Sequence, residues 1–207
     1  MPLAANSQFS TFFSILNMID TIRKCLAQEA TALQTVADSV DESTWIPFVY
    51  ELSACSGHVI FTGVGKSGIV AHKIASSFNS LSVIAFHLDP LAMLHGDLGA
   101  LTSDDIVVML SNSGETDILL EVARNVLHRG NRLFAIIGNV HSSLARIANR
   151  SIIVETTEAG PFGLIPSTSC IAMMAVGDAL LCALAEIRES TSDQLKHNHP
   201  QGFISTV

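Results

Sequence analysis

Two hydrophobic rhythms alternate along this chain. Short runs rich in β-branched and aromatic residues predict strands at His58–Thr62, Ser82–His87, Asp105–Leu110, Arg132–Ile137 and Ser151–Val154. Longer stretches predict helices between them. One covers roughly Phe9–Val40, and a second opens at the N-cap-like cluster Asp41–Thr44 and ends near Cys55. Others run from the Gly63 turn to about Asn79, over Thr116–His128, briefly after His141, and over Ser167–Glu186. The strands do not alternate apolar with polar. Ile106-Val107-Val108-Met109-Leu110 is apolar throughout, as a strand covered on both faces requires. The pattern therefore predicts an α/β fold: a doubly wound, flavodoxin-like parallel sheet of about five strands with helices on both faces. Ligands of such sheets sit beyond the carboxyl ends of the strands.

The 207 residues fit a single domain, with N-terminal helices over 1–56, sheet and helices over 57–190, and a tail over 191–207. Hydrophobic residues make up 48% and charged ones 14%, enough to fill a large core and exclude disorder. Two stretches lack charge, Met1–Ile19 and Ala159–Gly177. The first has no basic flank of a signal peptide, and the second is broken by Pro161, Gly163 and Pro166. Neither reads as a membrane span, so no membrane partner and a cytoplasmic location are expected. The apolar excess points instead to a buried subunit interface. A net charge of −8 argues against nucleic acid as a partner. Cys25, Cys55, Cys170 and Cys182 form no CxxC, and reduced, buried thiols are expected.

Candidate chemistry collects in the loops after the strands. Ser111-Asn112-Ser113-Gly114-Glu115-Thr116 joins a buried strand to a helix, where free amides and the macrodipole favour an anion. An ordinary N-cap needs one hydroxyl; three around a glycine suit a phosphate, with Gly114 allowing close approach. Gly63-Val64-Gly65-Lys66-Ser67-Gly68 occupies the equivalent place after the first strand. It lacks the spacing of a P-loop, and its literal GxGxxG match is a weak dinucleotide signal. Lys66 has the wrong sign for a helix N-terminus, which favours a functional reason for it. Glu158, just past a strand end among small and apolar residues, is a carboxylate whose pKa is expected to rise. Ser167 or Thr168 caps the last helix or adds to the ligand site. His95 lies in a turn-rich stretch. His197 and His199 have HxH spacing without the partners of a zinc site, so no metal is expected.

Taken in order, GVGKSG (63–68), LHGDLG (94–99), SNSGET (111–116), EAGPFGLIPSTS (158–169) and NHPQG (198–202) resemble the sugar isomerase (SIS) domain, and most closely the arabinose-5-phosphate isomerase family. The resemblance runs from about Cys25 to Gly202. It implies a homotetramer with active sites shared between subunits, no cofactor, and interconversion of D-arabinose 5-phosphate and D-ribulose 5-phosphate in the cytoplasm. Such enzymes commonly feed synthesis of the eight-carbon acid Kdo. Carried over by motif, Ser67, Ser111, Ser113 and Thr116 bind the sugar's phosphate, with Ser167 or Thr168 assisting. Lys66, His95, Glu115, Glu158 and His199 line the reacting end. Glu158 is the expected proton-shuttling base, with Glu115 as its substitute; Lys66 and His95 polarise oxygens, and His199 assists ring opening. The sequence departs from the family after the histidine, where Gln201 and Phe203-Ile204-Ser205 replace HPGGALG, and it contains no CBS pair. The same fold also serves in sugar-phosphate sensors and in isomerases of hexulose or heptose phosphates. A pure sensor has no need of Glu158, His95 and His199.

Overall fold

The computed structural model describes residues 5–160, 162–201 and 203–206, with side chains from Asn17 onward except that of Phe203. Pro161 and Gly202, which belong to two of the motifs, lie outside the described residues. Two helices lead, α1 (Ala5–Asp38) and α2 (Glu42–Ser53). There follow β1 (Val59–Gly63), α3 (Lys66–Ser80), β2 (Ala85–His87), α4 (Pro90–Leu94), a 3-10 turn (Asp97–Ala100) and β3 (Ile106–Ser111). The rest is α5 (Asp117–His128), β4 (Arg132–Ile137), α6 (Ser143–Ile147), β5 (Arg150–Ile153), α7 (Thr168–Ile187) and α8 (Ser192–Asn198), closed by a 3-10 turn (Phe203–Thr206).

The five strands form one parallel sheet in the order β2-β1-β3-β4-β5. All residues of β1 and β3 are buried, and their side chains divide between two cores. Ile106, Val108 and Leu110 face a layer made by α2, α3 and α7; Val107 and Met109 face one made by α4 and α5. This is why the sequence shows unbroken apolar runs: each face of the sheet has its own helices. The longest apolar helix, α7, meets length and composition for crossing a bilayer. In the fold it packs on α3, where Gly177 lies against the Ile74 side chain.

Boundaries shift where turns compete with strands. β2 begins at Ala85 rather than Ser82, because the N–H groups of Ser82 and Val83 bond back to Asn79 and Phe78 and extend the exit of α3. Helix α8 was not predicted; it is opened by a Thr191–Gln194 capping box in a polar stretch. The thiols also differ from expectation: Cys25, Cys55 and Cys170 are only half-buried, and Cys182 is exposed on the outer face of α7.

Asp105 anchors the opposite edge of the sheet. It is 1% exposed, and its carboxylate accepts N–H groups of His58 (2.7 Å) and Thr102 (2.8 Å), the Thr102 hydroxyl (2.8 Å) and the His58 ring (3.1 Å). Burial pushes its carboxyl up, but these donors prevail and hold it below the usual aspartate value.

Candidate active site

The strand order reverses between β1 and β3, and there a crevice opens at the carboxyl edge. Gly63 and Leu110 are in register, so the loops that follow them lie side by side. One leads into α3 through Lys66 and Ser67; the other leads into α5 through Ser113 and Thr116. Capping divides the helices by position. Asp41, Asp89, Ser142 and Thr191 each bond the first-turn amides of α2, α4, α6 and α8. No side chain of an N-cap residue does so for α3, α5 or α7, the helices that start around the crevice. First-turn N–H groups lack intrahelical acceptors, so α3 and α5 present open donors to this crevice.

Hydroxyls shape the second loop. Ser111, 5% exposed, accepts the Gly114 N–H at 3.0 Å, and Ser113 accepts the Glu115 N–H at 3.2 Å. A hydroxyl that accepts from the backbone keeps its own proton to donate, and Ser113 is exposed where it can do so. Gly114 has a different role from the one expected. It is buried with φ +66°, and a Cβ there would lie 2.2 Å from Ser142 Oγ. Its missing side chain makes room for the β4–α6 loop, not for an anion.

Glu115 is likewise engaged with that loop. Its carboxylate accepts the Ser143 N–H at 2.7 Å, and chiefly this bond, with the Ser143 hydroxyl, holds it below the usual glutamate value. In this chain it ties two loops together, which places it poorly as a substitute base.

Across the crevice, the negative group at the start of α7 is Glu158. Its Oε2 accepts the N–H groups of Ser167 (2.9 Å) and Ser169 (3.3 Å), and its Oε1 accepts the Ser169 hydroxyl. The expected rise in pKa is corrected here. Burial does push the carboxyl up, but the Ser169 hydroxyl and the Ser167 and Ser169 amides outweigh it and hold it below the ordinary value. Neighbouring residue types suggested an apolar surrounding; the folded chain supplies a helix N-terminus instead. Thr168 is turned inward, 1% exposed, with its hydroxyl accepting the Ala159 N–H at 3.0 Å. It fastens the Glu158 segment to α7 and is too deep to meet a phosphate. Ser167, half-buried, stays at the surface of the same turn.

Lys66 and Glu158 both act on the Cys170 thiol, Lys66 lowering and Glu158 raising its pKa, although burial is the larger influence and pushes it up. Both charges are thus within electrostatic reach of the Cys170 thiol. His95 closes α4 on the same edge, with its ring exposed. His199 does not join them. Its Nδ1 lies 2.7 Å from Leu195 O and its Nε2 3.4 Å from Ser80 Oγ, at the far end of α3. With a rise of ~1.5 Å per residue, α3 separates Ser80 from Lys66 by about 20 Å. Within one chain His199 is on the wrong edge of the sheet.

Sequence reasoning missed Ser169, which holds both Glu158 oxygens. The only available signal was a third hydroxyl in the Ser167-Thr168-Ser169 run. A separate groove of 720 Å³ lies between α1 and residues 155–160, lined by Lys24, Cys25, Gln28 and Glu155 among others.

Comparison with known proteins places this geometry. Residues 52–183 match the SIS domain model. The chain is 35% identical over 188 residues to arabinose 5-phosphate isomerase KpsF of Escherichia coli O6:H1, covering 90% of this chain and 58% of that protein. It is 32% identical over 190 residues to arabinose 5-phosphate isomerase KdsD of Pseudomonas aeruginosa, covering 91% and 58%. The solved structure of E. coli CFT073 c3406 in complex with A5P superposes with a TM-score of 0.85 at 35% identity, covering 89% of this chain and 98% of that one. The chain thus spans less than two thirds of the length of the curated relatives it matches.

Proposed function

The chain belongs to the SIS-domain family, and on that premise we propose that it interconverts D-arabinose 5-phosphate and D-ribulose 5-phosphate. One observation carries the reading. Two helix N-termini without side-chain caps, dressed with Ser67, Ser113 and Thr116, face a crevice whose other wall holds an ionised carboxylate. The open amides and hydroxyls suit a phosphate dianion, and anchoring it at the β1/β3 edge leaves the sugar chain to extend toward Glu158. Ser111 supports this cradle by shaping its turn.

An aldose–ketose shift moves one proton from carbon 2 to carbon 1, and one from the carbon-2 oxygen to the carbon-1 oxygen, through an enediolate. Glu158 takes the carbon-2 proton and returns it to carbon 1. Its lowered pKa keeps it ionised, and so ready as a base, throughout the neutral range. Lys66 and His95 donate to the oxygens that gain charge in the enediolate. His199 reaches the ring-opening position from a neighbouring subunit, because in its own chain it is on the opposite edge. A tetramer with shared sites therefore forms part of the proposal. Met18, Ile22 and Leu26 of α1, with Phe162, Leu164 and Ile165 near Glu158, are exposed in a single chain and suit burial in such an assembly. The reaction fits a cytoplasmic supply of precursor to Kdo.

An isomerisation assay on purified protein, run over pentose, hexulose and heptose phosphates, tests the reading. The expected result is turnover with arabinose 5-phosphate and none with the unphosphorylated sugar. Binding of sugar phosphates without turnover of any of them would instead make the protein a sensor.

A further inference from the structure

The two oxygens of Glu158 are held differently. Oε2 accepts the Ser167 N–H at 2.9 Å and the Ser169 N–H at 3.3 Å, with the Ser167 hydroxyl at 3.5 Å. Backbone amides only donate, and the Ser167 hydroxyl, which could accept, stands at the 3.5 Å limit of a hydrogen bond, so a proton arriving at Oε2 would find no well-placed acceptor. Oε1 bonds the Ser169 hydroxyl. A hydroxyl donates to a carboxylate and, by rotating, accepts from a carboxylic acid. Ser169 itself is 3% exposed, in the first turn of α7 where the backbone fixes its direction. Among the described residues, Cys170 on α7 is the titratable group that interacts with this carboxyl, and Lys66 at the start of α3 acts on the same thiol. From α1 comes the uncharged Gln28, whose Oε1 accepts the Gly160 N–H at 3.4 Å, with Lys24 and Glu155 lining the groove beyond.

We propose that Ser169 is a positioning residue that makes Oε1 of Glu158 the oxygen that shuttles the proton, donating to it as carboxylate and accepting from it as acid. The proton leaves carbon 2 for Oε1 and goes on to carbon 1, while the carbon-2 hydroxyl proton passes to the carbon-1 oxygen, so the carboxyl ends each turnover as it began. The inference rests on Glu158 being the base. It adds which oxygen acts, and a residue that no phosphate or sugar atom need touch.

The test compares pH profiles of kcat and KM for wild type, Ser169→Ala, Ser169→Thr and Glu158→Gln on arabinose 5-phosphate. Losing the hydroxyl removes a donor from the charged form, so Ser169→Ala should move the acid limb of kcat up by about one pH unit. Its plateau kcat should fall roughly tenfold while KM stays within about twofold, because the phosphate is held elsewhere. Ser169→Thr, which keeps the hydroxyl, should restore both. A merely structural serine would move neither the limb nor the split between kcat and KM. If Ser169→Ala does not fold, Ser169→Cys keeps the volume but is a weak donor, and the same upward limb shift is expected. An unmoved limb and unchanged kcat, in an enzyme that Glu158→Gln silences, would overturn the role of Ser169 and leave the base in place. Full turnover by Glu158→Gln would overturn both.

Discussion

Gly114→Ala separates backbone strain from steric exclusion at the heart of the proposed phosphate cradle. Alanine at φ +66° carries a left-handed penalty of ~1–2 kcal/mol. Its Cβ would also stand 2.2 Å from Ser142 Oγ and 2.5 Å from Ser142 Cβ, and Ser142 is fully buried. Ser142 cannot retreat freely. Its hydroxyl accepts the Ala145 N–H at 3.2 Å, the Leu144 N–H bonds Gly114 O at 3.1 Å, and the Ser143 N–H bonds Glu115 at 2.7 Å. Overpacking of this kind adds ~1–3 kcal/mol, for a total of roughly 2–5 kcal/mol. Gly130 is the control: its φ is +88° with open space where a Cβ would go, so Gly130→Ala pays the strain alone, about 1–2 kcal/mol. Urea unfolding of the two variants and the double mutant Gly114→Ala/Ser142→Gly measures these quantities. Glycine replaces an N-cap serine for only a few tenths of a kcal/mol, so the double mutant should recover most of the steric part. KM for the sugar phosphate should rise about tenfold in Gly114→Ala, where the loop that holds Ser113 is displaced, and stay unchanged in Gly130→Ala. Equal destabilisation by the two alanines, or no recovery on removing the Ser142 side chain, would refute the account of Gly114 as a space-maker for the β4–α6 loop.

Glu158→Gln should lower kcat by on the order of a hundredfold or more, as loss of a general base does, with the protein still folded by circular dichroism. Lys66→Ala and His199→Ala, each inactive alone, should regain roughly a quarter of wild-type turnover when co-assembled in equal amounts, because a shared site then has an even chance of each intact residue. No recovery from a verified mixed oligomer would place both residues in one chain's site and contradict the geometry. Asp105→Asn sets an amide against donors and should cost about 3 kcal/mol at neutral pH, read by urea unfolding. The wild-type carboxyl holds its proton less tightly folded than unfolded, so its contribution is complete above about pH 4 and drains away as pH falls through the lower folded value. The gap between wild type and Asp105→Asn should therefore close on acidification.

The amino-acid order by itself determines the layer architecture. Short apolar runs that never alternate, such as Ile106–Leu110, rich in β-branched residues and bounded by turn signals, fit strands covered on both faces, and the helical stretches between them fit a parallel sheet. It also places the candidate chemistry, because the glycine-rich turn at 63–68 and the hydroxyl-rich turn at 111–116 directly follow such strands, and the carboxyl edge is where these sheets bind ligands. Roles within that chemistry depend on partners far along the chain. Whether Glu158 has a raised or lowered pKa is decided by donors 9 and 11 residues away that a helix start turns back onto it. Gly114 is required by Ser142, Glu115 is claimed by Ser143, and the Thr168 hydroxyl is taken by the Ala159 N–H. His199 is carried to the wrong edge by the length of α3 and the docking of α8. Periodicity reports which face of an element is buried, and that survives in one dimension; hydrogen-bond partnership and distance are properties of the folded chain, and only the tertiary structure could assign them.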